Sequence, residues 1–217
     1  MIAFKFLARG AVGPFSGFQW PTPSASAPGR WVEAPAEKLP ARGIHACLLE
    51  HLSYWFEDEL WEVELADVVE RAPTQLIAAR GRLLRRVTAW TRALGCEFGR
   101  ACAIRARDSA AHLLREAGRG EDADQLLSQA NLVELERAAR AISTRSKTDS
   151  LGNIAGYVAD AAIFANAKDF SAASYIAVEL ARVSTGSAEA ILSERAWQGR
   201  WIAARLNLDA ADSSAWL

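Results

Sequence analysis

The prolines of this chain are confined to its first third. All seven lie between Pro14 and Pro73, and residues 74–217 contain none. Because proline breaks helices, long helices are expected only in the second stretch, which is rich in alanine and has helical spacing from about Ala93 to Leu208. We therefore predict an α+β protein with a sheet domain over residues 1–90 and a helical region over residues 91–217.

Alternating apolar residues and flanking turn residues predict strands in the first region. The segment Leu49–Glu57 has helical spacing instead and predicts a short helix. Arg82–Val87 fits either structure, but Gly81 favours a strand because glycine inside a helix costs roughly 1 kcal/mol relative to alanine. We expect a small mixed sheet packed against a C-terminal helical bundle. The other predicted strands are Ile2–Leu7, Ile44–Leu48 and Leu60–Leu65.

Helical spacing in the second region predicts five runs, over residues 93–117, 122–143, 150–167, 171–184 and 187–207. Small side chains such as Ala155, Ala159 and Ala162 permit neighbouring helices to approach closely. Trp197 and Trp201 lie one turn apart in the last run, so we expect this face to be covered by the first region or by a second subunit.

Charge and composition exclude several classes of protein. The formal net charge is -1, and both regions are close to neutral, which argues against nucleic-acid binding. No apolar run approaches the roughly 18 residues of a membrane span, and the first ten residues do not read as a signal peptide. Three cysteines in a chain of this size predict free thiols and a cytoplasmic location.

Residue parity along two predicted strands brings polar side chains to one face. Successive strand residues face opposite sides, so His45 and Cys47 oppose Ile44, Ala46 and Leu48. The same rule places Glu62 and Glu64 opposite Trp61, Val63 and Leu65. If the strands share a core, then His45, Cys47, Glu62 and Glu64 share the other face.

Several kinds of chemistry are open to this polar set. Cross-strand neighbours place Cβ atoms about 5 Å apart, so Glu62 or Glu64 would orient the His45 imidazole as a general acid or base. A Cys47–His45 pair is too far apart along one strand, at roughly 6–7 Å. A zinc site at His45, Cys47 and His51 lacks a fourth ligand. The structural alternatives are ordinary ion pairs, a buried thiol and a hydrogen-bonded histidine.

Aromatic and basic residues supply a second candidate surface. Trp20 and Tyr54, together with Cys47, are predicted to contact a planar or hydrophobic ligand. The basic cluster Arg80, Arg82, Arg85 and Arg86 suits a phosphate or nucleic acid, but the acidic run from Glu57 to Glu64 is near enough in sequence to neutralise it.

The first region contains four sequence blocks: an aromatic opening strand, the G-I-H-A-C block with Gly43, His45 and Cys47, the acidic E-V-E strand with Glu62 and Glu64, and a closing basic segment. The order of these blocks resembles that of an uncharacterised bacterial and phage family of unknown function. The resemblance covers about residues 1–88. It implies a fold but no enzymatic reaction. The helical remainder resembles unnamed actinobacterial proteins. The first region also resembles, more loosely, the folds of ADP-ribosyltransferases. Its first strand lacks the histidine or arginine with which those enzymes bind the dinucleotide.

Two hypotheses about function follow. The first is a module that binds an unidentified small molecule or protein through an aromatic cleft between sheet and helices, with a homo-oligomer as an option. The alternative is a small transferase-like enzyme that uses His45 with Glu62 or Glu64. The sequence identifies no cofactor, and it contains no P-loop, no G-x-S-x-G and no C-x-x-C motif.

Overall fold

A computed structural model describes residues 1–34, 43–146 and 149–208. The predicted α+β class is confirmed. The chain divides into two compact units, of which the second is Ala93–Gln198. The first contains Met1–Arg92 together with the described residues from Gly199. The predicted boundary at residue 90 lies close to this division, whereas the described residues from Gly199, predicted as part of the helical region, are grouped with the first unit. Residues 209–217 of that prediction lie outside the described ranges.

The described part of the first unit contains a five-stranded sheet and a 3₁₀ helix at Leu49–Tyr54, where the sequence predicts a short helix. Every strand pairing is antiparallel, so the predicted mixed sheet is wrong. β4 and β5 are joined by only Pro73 and Thr74, and a two-residue connection enforces antiparallel pairing. The strands are β1 Ile2–Leu7, β2 Val32–Glu33, β3 Ile44–Ala46, β4 Glu59–Ala72 and β5 Gln75–Arg86.

The sheet closes on itself. β4 lies between β1 and β5, and β5 pairs with β3 through His45 and Ile77. The ring is completed by a single bridge in which the amides of Phe4 and Cys47 each donate to the carbonyl oxygen of the other at 2.8 Å. The four strands β1, β4, β5 and β3 thus form a small barrel, and β2 pairs with β5 beside it.

The interior of this barrel is the core of the first unit. Trp20, from the connection that follows β1, belongs to the same cluster. The strand residues that fill the interior are Ala3, Leu7, Ile44, Ala46, Trp61, Val63, Leu65, Leu76, Ala78 and Leu83.

Gly81 shows why the ambiguous segment is a strand. It lies inside β5, which extends the predicted strand at Arg82–Val87 toward its N-terminus. A side chain at Gly81 would place its Cβ 3.1 Å from Ile44 Cγ2 and 3.3 Å from Leu65 Cδ2. The glycine therefore allows β3 and β4 side chains to meet over β5.

Glu59 fastens the start of the β1–β2 connection to the barrel. Its side chain is almost fully buried, and its carboxylate accepts hydrogen bonds from the backbone amides of Gly10 and Ala11 at 3.1 and 3.0 Å and from Trp61 Nε1 at 3.0 Å. Arg86 pairs with it at 3.2 Å. Burial by itself would raise the pKa of Glu59, but these hydrogen bonds and the guanidinium outweigh burial and lower the pKa.

The helices of the second region are largely as predicted. One predicted run, 122–143, is wrong because it is two helices. The Asn131 side chain accepts a hydrogen bond from the Glu134 amide at 3.0 Å, and this N-cap starts a new helix. The helices are α1 Arg92–Glu116, α2 Gly120–Leu127, α3 Leu132–Arg145, α4 Ser150–Asn166, α5 Phe170–Thr185 and α6 Ala188–Leu206.

Alanines allow close packing within the second unit, as predicted. Ala155, Ala159 and Ala162 of α4 are fully buried. Trp197 and Trp201 of α6 are both half-buried, and each stacks on a guanidinium, Trp197 on Arg105 at 4.5 Å and Trp201 on Arg205 at 4.6 Å. None of the described helices is both long and apolar enough to span a membrane.

Removing the charge of Glu59 should weaken the barrel. Hydrogen bonds to a charged group contribute about 1.5–3 kcal/mol, so we expect Glu59→Gln to lower the free energy of unfolding by about 2 kcal/mol at pH 7. Urea denaturation measures this change. Glu33→Gln, at an exposed position of β2, is the matched control, and equal midpoints for the two variants would contradict the assigned role.

The same carboxylate predicts an acid dependence. Since the pKa of Glu59 is lower in the folded than in the unfolded state, its stabilisation is complete above the unfolded value of about 4.5 and is lost as the pH falls through the folded value. The free energy of unfolding of Glu59→Gln should therefore fall less than that of the wild type as the pH is lowered through this range, which urea denaturation at several pH values measures.

Candidate functional site

The predicted parity is correct, but the predicted neighbours are not. Ile44 and Ala46, like Trp61, Val63 and Leu65, are core residues of the barrel, so their polar neighbours face outward. However, β3 pairs with β5 and bridges to β1, whereas β4 pairs with β1 and β5. β3 and β4 are therefore not adjacent strands, and the cross-strand contact that the predicted dyad requires is not formed.

Each member of the predicted dyad has a different partner. His45 Nδ1 lies 3.0 Å from Gln75 Oε1. Glu62 accepts from Arg85 Nε at 2.7 Å, and Glu64 lies 2.6 Å from Arg82 Nη2. The two carboxylates thus form ion pairs, and the imidazole forms a hydrogen bond to a side-chain amide. This face therefore has the ion pairs and the hydrogen-bonded histidine of the structural alternative, and His45 does not contact either glutamate.

Cys47 is a buried thiol. Only 2% of the residue is exposed, and burial raises its pKa to about 12, with nearby Lys5 lowering the pKa and Glu50 adding to the rise. A thiol that stays protonated near neutral pH is a poor nucleophile and a poor ligand. Among residues 1–34, 43–146 and 149–208 there is no group of three or more His, Cys, Asp or Glu side chains able to hold a metal ion.

The two aromatic residues predicted to bind a ligand both contact other side chains of the first unit. Trp20 is 5% exposed, its ring meets Phe18 edge-on at 5.8 Å, and the Lys5 ammonium lies 5.4 Å from its centroid. Tyr54 is half-buried on the 3₁₀ helix, and its ring meets that of His51 at 6.1 Å. Trp20 is therefore a core residue of the barrel, and the ligand-binding role of Trp20 and Tyr54 stays a prediction.

The basic cluster is neutralised, as the sequence suggests. Each of its four arginines has a carboxylate partner across the β4–β5 pair. A surface with this pairing presents alternating charges and no continuous positive field. The ion pairs are Arg80–Asp67, Arg82–Glu64, Arg85–Glu62 and Arg86–Glu59.

Trp31 lies on this ion-paired surface. The residue is 38% exposed, and the guanidinium carbons of Arg82 and Arg80 lie 4.7 and 5.5 Å from its ring centroid. Glu64 and Asp67 accept hydrogen bonds from these two guanidiniums, so the indole lies on ion-paired arginines. A partly exposed tryptophan beside arginines has the composition of an interface residue.

Two further exposed aromatic residues lie on the same segment of chain. Residues 8–31 join β1 to β2, and we call this segment, with Phe15, Phe18 and Trp31, the aromatic connection. Phe15 is 94% exposed and Phe18 43%. The loop that carries them is closed by hydrogen bonds from the Gly13 amide to the Phe18 carbonyl at 2.9 Å and from the Gly17 amide to the Gly13 carbonyl at 2.8 Å.

The C-terminal end of the aromatic connection is also held by a backbone hydrogen bond. The Gly29 amide donates to the Leu83 carbonyl of β5 at 2.8 Å. A Cβ at Gly29 would lie 2.3 Å from the Pro21 carbonyl oxygen, so only glycine fits this approach. Sequence reasoning missed the segment as a site, although Phe15 and Phe18 among turn-forming residues were a visible signal.

Lys5 is a functional candidate that the sequence did not reveal. By strand alternation it lies on the interior side of β1 with Ala3 and Leu7, and its Nζ donates to the His45 carbonyl at 2.5 Å. Burial lowers the pKa of Lys5 to about 8, an effect that nearby Cys47 partly opposes. A lysine in this setting combines an amine with a largely apolar environment.

A buried polar network lies among the described residues of the second unit. Glu194 accepts from Arg105 Nε at 2.6 Å, and the fully buried Gln198 donates to the Ser174 carbonyl at 3.0 Å. Burial raises the pKa of Cys102, beside this network, with Glu194 adding to the rise. These contacts satisfy polar groups between α1, α5 and α6, and they describe a structural network.

Comparison with known protein families, with curated proteins and with solved structures finds no match for this chain. The resemblance of residues 1–88 to an uncharacterised family stays a prediction.

The three thiols should differ sharply in reactivity. Cys47 and Cys102 are buried and Cys96 is half-buried, so we expect one thiol to react rapidly with an aromatic disulfide reagent in the native protein. Absorbance of the released thiolate measures the count. Cys96→Ser should remove the rapid phase, and rapid reaction of Cys47 without denaturant would contradict the burial described here.

Proposed function

We propose that the first unit is a protein-binding module and that its aromatic connection docks into an apolar groove of a partner protein. The observation that carries this proposal is Phe15, a large apolar side chain that is 94% exposed at the tip of a hydrogen-bonded loop. Exposure of this ring to water is unfavourable, and binding would recover that free energy.

The composition of the aromatic connection supports binding to a protein. Protein interfaces are enriched in aromatic residues and arginine, and tryptophan and arginine dominate their binding energy. Trp31 with Arg80 and Arg82 is such a group, and Phe15 and Phe18 add apolar area. The backbone hydrogen bonds at Gly13 and Gly29 order the segment before binding, which reduces the entropic cost of association.

Local charge favours an apolar partner surface. The arginines beside Trp31 are already paired with Asp67 and Glu64. A phosphate-bearing partner would have to compete with these carboxylates, so the charge pattern argues against nucleic acid. An uncharged groove makes no such demand.

The symmetry of a dimer favours a different protein over a second copy of the chain. A stable interface buries about 800 Å² on each partner, and aromatic side chains bury about 150–250 Å² each only when they are enclosed. A symmetric dimer formed through Phe15 would set the same exposed loop of both copies together, which gives neither Phe15 ring a groove. We therefore assign the groove to another protein.

Site-specific cross-linking tests this function. A photoreactive phenylalanine analogue at position 15 should cross-link one partner from the source cells, while the same analogue at Tyr175, an exposed site of the second unit, should not. The captured protein, once purified, should bind the wild-type chain. Phe15→Ala should weaken that binding at least about tenfold, or about 1.4 kcal/mol, without lowering the melting temperature.

Leu192→Ala is the matched control because Leu192 is another exposed apolar residue, on α6, with 65% of its surface exposed. It should leave the affinity unchanged. Three results would contradict the proposal: cross-linking only to a second copy of the chain, equal cross-linking at positions 15 and 175, or a purified partner that binds Phe15→Ala as tightly as wild type.

A further inference from the structure

The seam between β1 and β3 contains a lysine amine. Phe4 and Cys47 form one bridge, and the next rung of an antiparallel ladder would join Phe6 to His45. That rung is replaced by the Lys5 side chain, whose Nζ donates to the His45 carbonyl at 2.5 Å. Lys5 therefore closes the seam with an amine where backbone pairing stops.

The surroundings of this amine are apolar. The centroid of the Trp20 ring lies 5.4 Å from Lys5 Nζ, and Ala3 and Leu7 lie on the same side of β1 as Lys5. No carboxylate of the described residues forms an ion pair with Lys5. The titratable group that affects its pKa is the Cys47 thiol, which burial keeps neutral near pH 7. A half-buried ammonium without a counter-ion is costly.

We propose that Lys5 Nζ is a covalent binding site for small uncharged aldehydes, which it captures as an imine. The neutral amine attacks the carbonyl carbon with its lone pair, the carbon–oxygen π bond breaks to form a carbinolamine, and loss of water forms the carbon–nitrogen double bond. Overall, an ammonium and an aldehyde give a protonated imine and one water, so atoms and charge balance without an oxidant.

The seam suits the product. A protonated imine keeps one N–H, and this donor is sufficient for the single hydrogen bond to the His45 carbonyl. Its positive charge would remain beside the Trp20 ring, as the ammonium does now. The pKa of Lys5, lowered to about 8 by burial, increases the fraction of neutral amine near pH 7 relative to an ordinary lysine. The lack of a charged partner favours an uncharged aldehyde.

Reductive trapping with acetaldehyde and cyanoborohydride at pH 7 tests the site in the folded full-length chain. Reduction fixes any imine as an N-ethyl lysine, and peptide mapping by mass spectrometry assigns it. Because the chain has only four lysines, Lys5, Lys38, Lys147 and Lys168, each site can be followed. Lys168 is exposed and serves as the internal control.

We expect Lys5 to be alkylated at least about tenfold faster than Lys168. The preference should disappear in 8 M urea, which removes the barrel environment, and Lys5→Arg should show no label at that position. Labelling of Lys5 that is no faster than that of Lys168 in the native chain, or faster only in urea, would overturn the proposal. The comparison within the wild-type chain decides the matter even if Lys5→Arg does not fold.

Discussion

The backbone bridge between Phe4 and Cys47 is the contact on which the first unit depends. Without it, β1 and β3 would be the open edges of a curved sheet, and open edges expose unpaired backbone groups. With it, the four strands enclose an interior filled by side chains from each of them. The bridge also places Lys5 at the seam and so gives this residue its environment.

Pairing of β4 with β5 determines the partners of the outward side chains. Glu62 and Glu64 face the same way as the arginines of β5 and become their ion-pair partners. The ion pairs in turn support Trp31. The polar residues that the sequence suggested as a catalytic set therefore form ion pairs and hydrogen bonds on the barrel surface, and the exposed aromatic side chains lie on the aromatic connection.

Local features of the fold were predictable, and contacts between distant segments were not. Alternation correctly assigned Ile44 and Val63 to the interior, because parity depends only on neighbouring residues. Strand order depends on which segments meet, and no local pattern indicates that β3 lies across the ring from β4. The break within the predicted helix 122–143 depended on one cap, Asn131, that a periodic pattern conceals. The sequence places Phe15 among turn-forming residues, but the exposure of its ring is a property of the folded loop.

Hydrogen exchange of the Phe4 and Cys47 amides, followed by NMR, tests the closure of the barrel most directly. Both amides donate across the bridge, so they should be protected to the same extent as the amide of Val63 in β4, and they should lose protection together with it as urea is added. Fast exchange of Phe4 and Cys47 while Val63 remains protected would show that the ring is open.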